Sequence, residues 1–183
     1  MSFSPSHRGG AGPPMVCLHG VTDTWRTWGL VIPHLERRHE VLAPTLPGHA
    51  GGPAIDGPVT DDLLADAVEA AMDEAGFATA HLVGNSLGGF VALQLAARGR
   101  ARSVVALAPA GGWAPGDESW RELLRFQRAM REQTVAAAPQ VDALVATDAG
   151  RRRATRLITV AYEHIPPELI AAQTIGVARC TGL

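Results

Sequence analysis

The sequence predicts an α/β fold, a mostly parallel sheet with flanking helices that is followed by a purely helical segment. Short apolar runs alternate with helical patterns over the first 112 residues, and no convincing strand pattern follows them. A serine between two glycines lies where one strand gives way to a helix. These observations divide the chain into a flexible lead-in (1–14), an α/β core (15–112) and a helical cap segment (113–183).

Each element of the core has its own signal. The apolar runs lie at residues 15–18, 40–44, 82–83 and 103–109. Helical spacing of apolar side chains lies between them, at residues 28–35, 60–76 and 90–97. Thr60 can cap the longest of these helices, and Gly76 suits its end. Helices of this length between strands predict parallel pairing, since parallel strands need crossover connections.

The last third of the chain has a different pattern. Helical segments are predicted at residues 120–138, 139–146, 151–162 and 167–175. The first of them has an amphipathic face. We expect these helices to cover the carboxyl ends of the strands, because ligands of open α/β sheets bind there.

Composition excludes several classes of protein. The chain has 183 residues, 46% of them hydrophobic, which suits one soluble globular domain. A net charge of −2 gives no electrostatic case for nucleic acid or an anionic membrane. The two cysteines, Cys17 and Cys180, form neither a disulfide framework nor a metal-binding pattern. No signal peptide and no membrane-spanning run are evident, so we expect a cytoplasmic protein.

The segment Gly84-Asn85-Ser86-Leu87-Gly88 matches the G-x-S-x-G pattern in its required context, between a strand and a helix. In that setting Ser86 lies in a sharp, strained turn that exposes its hydroxyl group. Glycines at 84 and 88 avoid Cβ atoms where strand and helix are closest. The segment therefore predicts Ser86 as a nucleophile.

Two backbone amides complete the predicted arrangement. The amide of Leu87 lies in the first helical turn and points toward the space beside Ser86. His19 and Gly20 end the first core strand at the same sheet edge, which makes the amide of Val21 the second candidate donor. Two such donors stabilise a tetrahedral oxyanion, and losing one costs about 3 kcal/mol of barrier. We expect His19 to shape this loop rather than to act as a base. Two roles remain open for Asp23: it orients a polar group of the substrate, or it fixes the loop.

In combination, the His19-Gly20 strand end, the Pro47-Gly48-His49 loop and the Ser86 segment resemble the α/β-hydrolase family, in particular small bacterial members with a helical cap. The resemblance runs from about residue 15 to the end of the chain. It implies a serine hydrolase that cleaves an ester, thioester, amide or activated carbon–carbon bond in a small-molecule substrate. No cofactor or metal is implied. A serine in place of aspartate at position 86 argues against the dehalogenase and epoxide hydrolase branches.

The family order of nucleophile, acid and histidine is not completed in this sequence. After Ser86 the next histidine is His164, in a predicted cap helix, and no Asp or Glu follows a strand after residue 109. We therefore expect that the C-terminal strands, the acid and the base are missing from a fragment. The alternatives are a natural short form that binds without catalysis, and recruitment of His164 as the base. The motif around Ser86 does not distinguish a carboxylesterase from a carbon–carbon bond hydrolase. The sequence also leaves the oligomeric state open.

Overall fold

A computed structural model describes residues 2–60 and 62–182 of the chain. Its centre is a sheet of five strands, named in chain order β1 (Ser6–Gly10), β2 (Pro14–Leu18), β3 (Glu40–Pro44), β4 (Ala80–Asn85) and β5 (Ala101–Leu107). Their order across the sheet is β1-β3-β2-β4-β5. β2, β3, β4 and β5 are mutually parallel, and β1 pairs antiparallel with β3 at one edge. The predicted mostly parallel sheet is confirmed.

Helices connect and flank these strands. The α-helices are α1 (Ile32–Leu35), α2 (Leu63–Glu74), α3 (Leu87–Ala97), α4 (Ser119–Ala137), α5 (Val141–Val145), α6 (Asp148–Thr155) and α7 (Pro167–Arg179). Three short 3-10 turns add to them, at Trp25–Trp28, Ala138–Gln140 and Tyr162–His164. Within the described residues, no helix is both long and apolar enough to cross a bilayer.

The alternation of side chains along the strands builds a hydrophobic layer on each face of the sheet. On one face, Val16 and Leu82 pack with Val68 of α2 and Leu95 of α3. On the other face, Cys17, Val41 and Ala43 pack against Trp28 and Ile32. The carboxyl ends of β2 and β4 therefore lie side by side between two packed layers, and the candidate site residues follow these ends directly.

The flexible lead-in expected at residues 1–14 is wrong for Ser6–Gly10, which form the strand β1, and for Pro14, which begins β2. β1 is mostly polar, so it lacks the apolar pattern that would identify a strand. Backbone pairing with β3 holds it instead, from Ser6 opposite Pro44 to Gly10 opposite Glu40. Its side chains add an ion pair to the same edge, between Arg8 Nη2 and Glu40 Oε1 of β3 at 2.6 Å.

Other boundaries shift by a few residues. The predicted helix at 28–35 is a 3-10 turn followed by the one-turn α1, and the helix predicted to begin at Thr60 begins at Leu63. The last predicted core strand begins and ends two residues earlier than expected. The helical segment after β5 contains α4 to α7 and no strand within its described residues, as predicted.

Candidate active site

Ser86 is the single residue between the end of β4 and the start of α3. Its φ of 51° and ψ of −114° lie in a region that residues with a side chain rarely adopt. Such a conformation costs about 1–3 kcal/mol and persists where neighbours enforce it. Here the Ser86 amide donates to Leu107 O at 2.9 Å, and the Ser86 carbonyl accepts from the amides of Phe90 (3.1 Å) and Ala110 (3.0 Å).

The flanking glycines are required by close backbone contacts. A Cβ atom on Gly84 would lie 2.1 Å from the carbonyl oxygen of Gly88. A Cβ atom on Gly88 would lie 2.3 Å from the carbonyl oxygen of Leu18, at the end of β2. The strand, the turn and the helix therefore approach one another as closely as the G-x-S-x-G pattern predicts.

The loop after β2 lies directly beside this turn. A Cβ atom on Gly20 would be 3.6 Å from Cβ of Ser86 and 3.0 Å from Oδ1 of Asn85. Asn85 is exposed, and its Nδ2 donates to Leu107 O at 3.4 Å. Neither the amide of Val21 nor that of Leu87 donates a hydrogen bond to another described residue. Their pairing as an oxyanion hole stays a prediction.

His19 is fully buried between the loops that follow β2 and β3. Its Nε2 accepts a hydrogen bond from the amide of Leu46 at 2.9 Å, so its Nδ1 carries the proton and donates to Gly20 O at 2.7 Å. Burial and, to a smaller extent, the neighbouring His49 together lower the pKa of His19 to about 3. Both ring nitrogens are thus engaged by backbone groups, and neither is available to a substrate.

A base for Ser86 is not found within residues 2–60 and 62–182. No histidine, aspartate or glutamate in this part of the chain is hydrogen-bonded to the Ser86 hydroxyl group. His164 is exposed, at the end of the turn Tyr162–His164. No cluster of three or more potential metal ligands occurs in the same described residues.

Asp23, whose role sequence reasoning left open, is partly buried in the loop after β2. Its Oδ1 accepts a hydrogen bond from the Thr24 amide at 2.8 Å. Burial raises the pKa of Asp23, and the hydrogen bond from the Thr24 amide partly opposes the shift.

Comparison with known proteins identifies the family of the chain. The family model described as "Alpha/beta hydrolase family" matches residues 15–175. The epoxide hydrolase EphH of Mycobacterium tuberculosis is 65% identical over 51 residues, which cover 28% of this chain and 24% of that protein. The 2-hydroxymuconate semialdehyde hydrolase of a Pseudomonas species is 37% identical over 112 residues, covering 57% of this chain and 39% of the relative. The matched segments thus span well under half of both relatives.

Solved structures agree on the fold. The naproxen esterase, carboxylesterase NP, from Bacillus subtilis superposes with a TM-score of 0.65 at 20% sequence identity, covering 94% of this chain and 56% of that one. The family match extends from the first residues of β2 into α7 and so includes every candidate site residue named above. The chain belongs to the α/β-hydrolase family.

Proposed function

We propose that this chain carries the nucleophile and the oxyanion donors of a serine hydrolase that acts on an ester or a related carbonyl substrate. The backbone conformation of Ser86 is the observation that supports the proposal most strongly. A strained φ at the junction of a strand and a helix is typical of a nucleophile that must be exposed. A purely structural serine would gain nothing from this strain.

In the proposed reaction, Ser86 Oγ attacks the substrate carbonyl carbon and loses its proton to a base. The amides of Val21 and Leu87 donate to the oxygen on which negative charge develops. Collapse of this intermediate expels the alcohol and leaves an acyl group on Ser86, which water then removes. His19, Gly20, Gly84, Asn85 and Gly88 hold the backbone around these atoms.

The base and its acid partner are the open part of the proposal. A serine hydroxyl group without a base is a weak nucleophile, although an oxyanion hole alone retains some catalysis in triad enzymes. Replacing His164 with glutamine tests the one histidine that the cap segment offers. If labelling of Ser86 is unchanged in His164→Gln, His164 is not the base.

A fluorophosphonate probe tests the nucleophile directly. We expect labelling of the wild-type chain and its loss in Ser86→Ala. The matched control is Ser103→Ala, because the Ser103 hydroxyl group lies 2.8 Å from Nδ1 of His81 but belongs to the strand β5 rather than to a strained turn. Labelling should persist in this control. Absence of Ser86-dependent labelling would favour the alternative, a catalytically silent domain that binds a small molecule or a protein.

The names of two relatives suggest reactions other than ester cleavage. The name of the Pseudomonas relative supports carbon–carbon bond cleavage, which the same nucleophile and oxyanion donors can serve. The name of the Mycobacterium relative suggests epoxide opening. Ser86 argues against this reaction, because the epoxide hydrolase branch has an aspartate at that position. Because no base is found among the described residues, we expect slow turnover of p-nitrophenyl acetate, supported by the oxyanion donors, and none of styrene oxide. Turnover of the epoxide and not of the ester would contradict the proposed substrate class.

A further inference from the structure

A cavity lies within the helical segment that follows β5. Its volume is about 630 Å³, which falls inside the range of roughly 300–1,000 Å³ that small-molecule sites occupy. Every residue that lines it lies between Met130 and Thr174, so the described part of the sheet and of the loops beside Ser86 contributes none. The cavity is therefore separate from the site proposed for ester cleavage.

Four helices build this cavity. Its lining comes from α4, α5 and α6, from the turns that join them, and from Thr174 of α7. α7 packs against each of the other three helices, and Thr174 is only 7% exposed. The cavity is thus the space that α4, α5 and α6 leave over α7, with Thr174 at its base.

The inner part of the lining is apolar. It is formed by half-buried side chains without polar groups, which are Met130, Ala137, Leu144 and Ala154. Two hydroxyl groups also line the cavity, and both donate within their own helices, Thr134 to Met130 O at 2.9 Å and Thr174 to Ile170 O at 2.9 Å. Because these donors are already satisfied, the interior suits a hydrocarbon chain.

The charged residues of the lining are two arginines. Arg153 lies in the last turn of α6 and Arg156 follows three positions later, so both side chains project from one side of the helix end. Both are exposed, and neither forms an ion pair or a hydrogen bond with another described residue. The described lining contains no aspartate or glutamate, although acidic residues outnumber basic ones in the whole chain, 18 to 16.

A neighbouring arginine shows a different arrangement. Arg151, on the same helix, does not line the cavity, donates to Val145 O at 2.9 Å and forms an ion pair with Asp148. The helix C-terminus favours cations, which accounts for arginines in this region. It does not remove the repulsion between the two unpaired guanidinium groups of Arg153 and Arg156. An anion between them would do so and would accept charge-assisted hydrogen bonds from both.

We propose that this cavity binds a small anionic amphiphile, whose carboxylate lies between Arg153 and Arg156 and whose hydrocarbon chain lies along the apolar lining beside Met130. The two parts of the ligand match the two parts of the cavity, since the charges are at the exposed rim and the apolar side chains are inside. Binding at this site does not depend on the activity of Ser86.

Methionine-methyl NMR tests the site in the full 183-residue chain. Of the four methionines, Met130 lines the cavity and Met72 is fully buried in the core. We expect octanoate, titrated below its micelle concentration, to shift the Met130 signal in a saturable way and to leave the Met72 signal in place. Met130→Leu assigns the signal. Octanol lacks the charge and acetate lacks the chain, so each should bind at least about tenfold more weakly.

Substitutions at the rim test the role of the arginines. Arg153→Gln and Arg156→Gln should each weaken octanoate binding about tenfold and leave octanol binding unchanged, because only the carboxylate uses the guanidinium groups. The matched control is Arg152→Gln, which removes the same charge from an exposed neighbour that does not line the cavity. This control should bind octanoate as tightly as the wild type.

Four outcomes would overturn the proposal. The first is the absence of a saturable Met130 shift with octanoate. The second is equal affinity for octanoate and octanol, which would show that the arginines do not select an anion. The third is equal weakening by Arg152→Gln and Arg153→Gln, because net charge and not the cavity would then decide binding. The fourth is a Met72 shift that parallels the Met130 shift, which would indicate a general change of the fold.

Discussion

The imidazole ring of His19 lies edge-on to the ring of His49, with centroids 4.9 Å apart and planes inclined by 68°. Burial lowers the pKa of both side chains. His19 must be neutral, because its Nε2 accepts the hydrogen bond from the Leu46 amide. The contact between the loops after β2 and β3 thus depends on a histidine that stays unprotonated.

We predict that acidification destabilises the fold through His19. In the unfolded chain its pKa returns to the ordinary 6.5, whereas in the folded chain it is about 3. Below pH 6.5 the unfolded state therefore binds a proton at His19 and the folded state does not. The free energy of unfolding consequently falls as the pH falls. Between pH 6.5 and pH 5 the loss is about 2 kcal/mol. Urea unfolding at several pH values measures it.

His19→Gln isolates this contribution. The glutamine oxygen can accept from the Leu46 amide and does not titrate, so the variant should be less stable than wild type near neutral pH and less sensitive to acid. His164→Gln is the control, since it removes an exposed histidine and should keep the wild-type pH dependence. Equal pH dependence in His19→Gln and wild type would show that His19 is not the acid-sensitive group.

A second prediction concerns the close approach of α3 to β2. In Gly88→Ala the new methyl group would lie 2.3 Å from Leu18 O and 2.6 Å from His19 O. Both are backbone atoms, so no flexible side chain can move aside, and we expect a loss of about 1–3 kcal/mol in the free energy of unfolding. Fluorophosphonate labelling of Ser86 should fall as well, since the turn must shift.

Gly112→Ala is the control for this substitution, because no atom lies within 4 Å of a Cβ at that position. It should change stability by less than about 0.5 kcal/mol. If Gly88→Ala were as stable and as reactive as Gly112→Ala, the close approach of helix and strand would be contradicted.

A third prediction concerns Cys17, which we expect to be unreactive in the folded protein. The side chain is fully buried in β2, and burial raises the pKa of its thiol to about 12. The reactive thiolate is therefore almost absent at pH 8. Iodoacetamide should modify Cys17 in urea and not in native buffer, as peptide mass mapping would show. Modification at similar rates in both conditions would contradict the buried position.

The strand–turn–helix around Ser86 could be predicted from sequence because its determinants are local. Gly84 and Gly88 are needed for short backbone contacts, and the apolar strand and helix lie immediately on either side. The loop at His19 and Gly20 could be placed beside it because parallel strands end at one edge of a sheet.

The features that sequence reasoning missed depend on contacts between distant segments. β1 is a polar strand whose partner, β3, lies about thirty residues away. Gly176 of α7 lies against Thr24 of the loop after β2, and no local pattern marks either residue for this contact. The left-handed φ of Thr22 was equally hidden, because glycine and not threonine is the usual signal for it.

The last prediction concerns the edge strand β5. Val105 and Leu107 lie on one face of it, with 53% and 46% of their surfaces exposed, and β5 pairs with no described strand other than β4. An exposed apolar edge of this kind favours self-association. We predict that Val105→Lys lowers concentration-dependent light scattering, because a charge at the edge opposes strand pairing between molecules. The free energy of unfolding should change by less than about 0.5 kcal/mol.

The neighbouring position provides the control, since side chains alternate between the faces of a strand. Val104 packs against the core layer that contains Leu82 and Leu95. Val104→Lys places a charge in that layer and should lower the free energy of unfolding by about 1 kcal/mol or more. Its partly unfolded molecules should scatter more light than the wild type. Equal scattering by wild type and Val105→Lys would show that the edge of β5 does not drive association. Equal stability of the two lysine variants would contradict the assignment of Val104 and Val105 to opposite faces of β5.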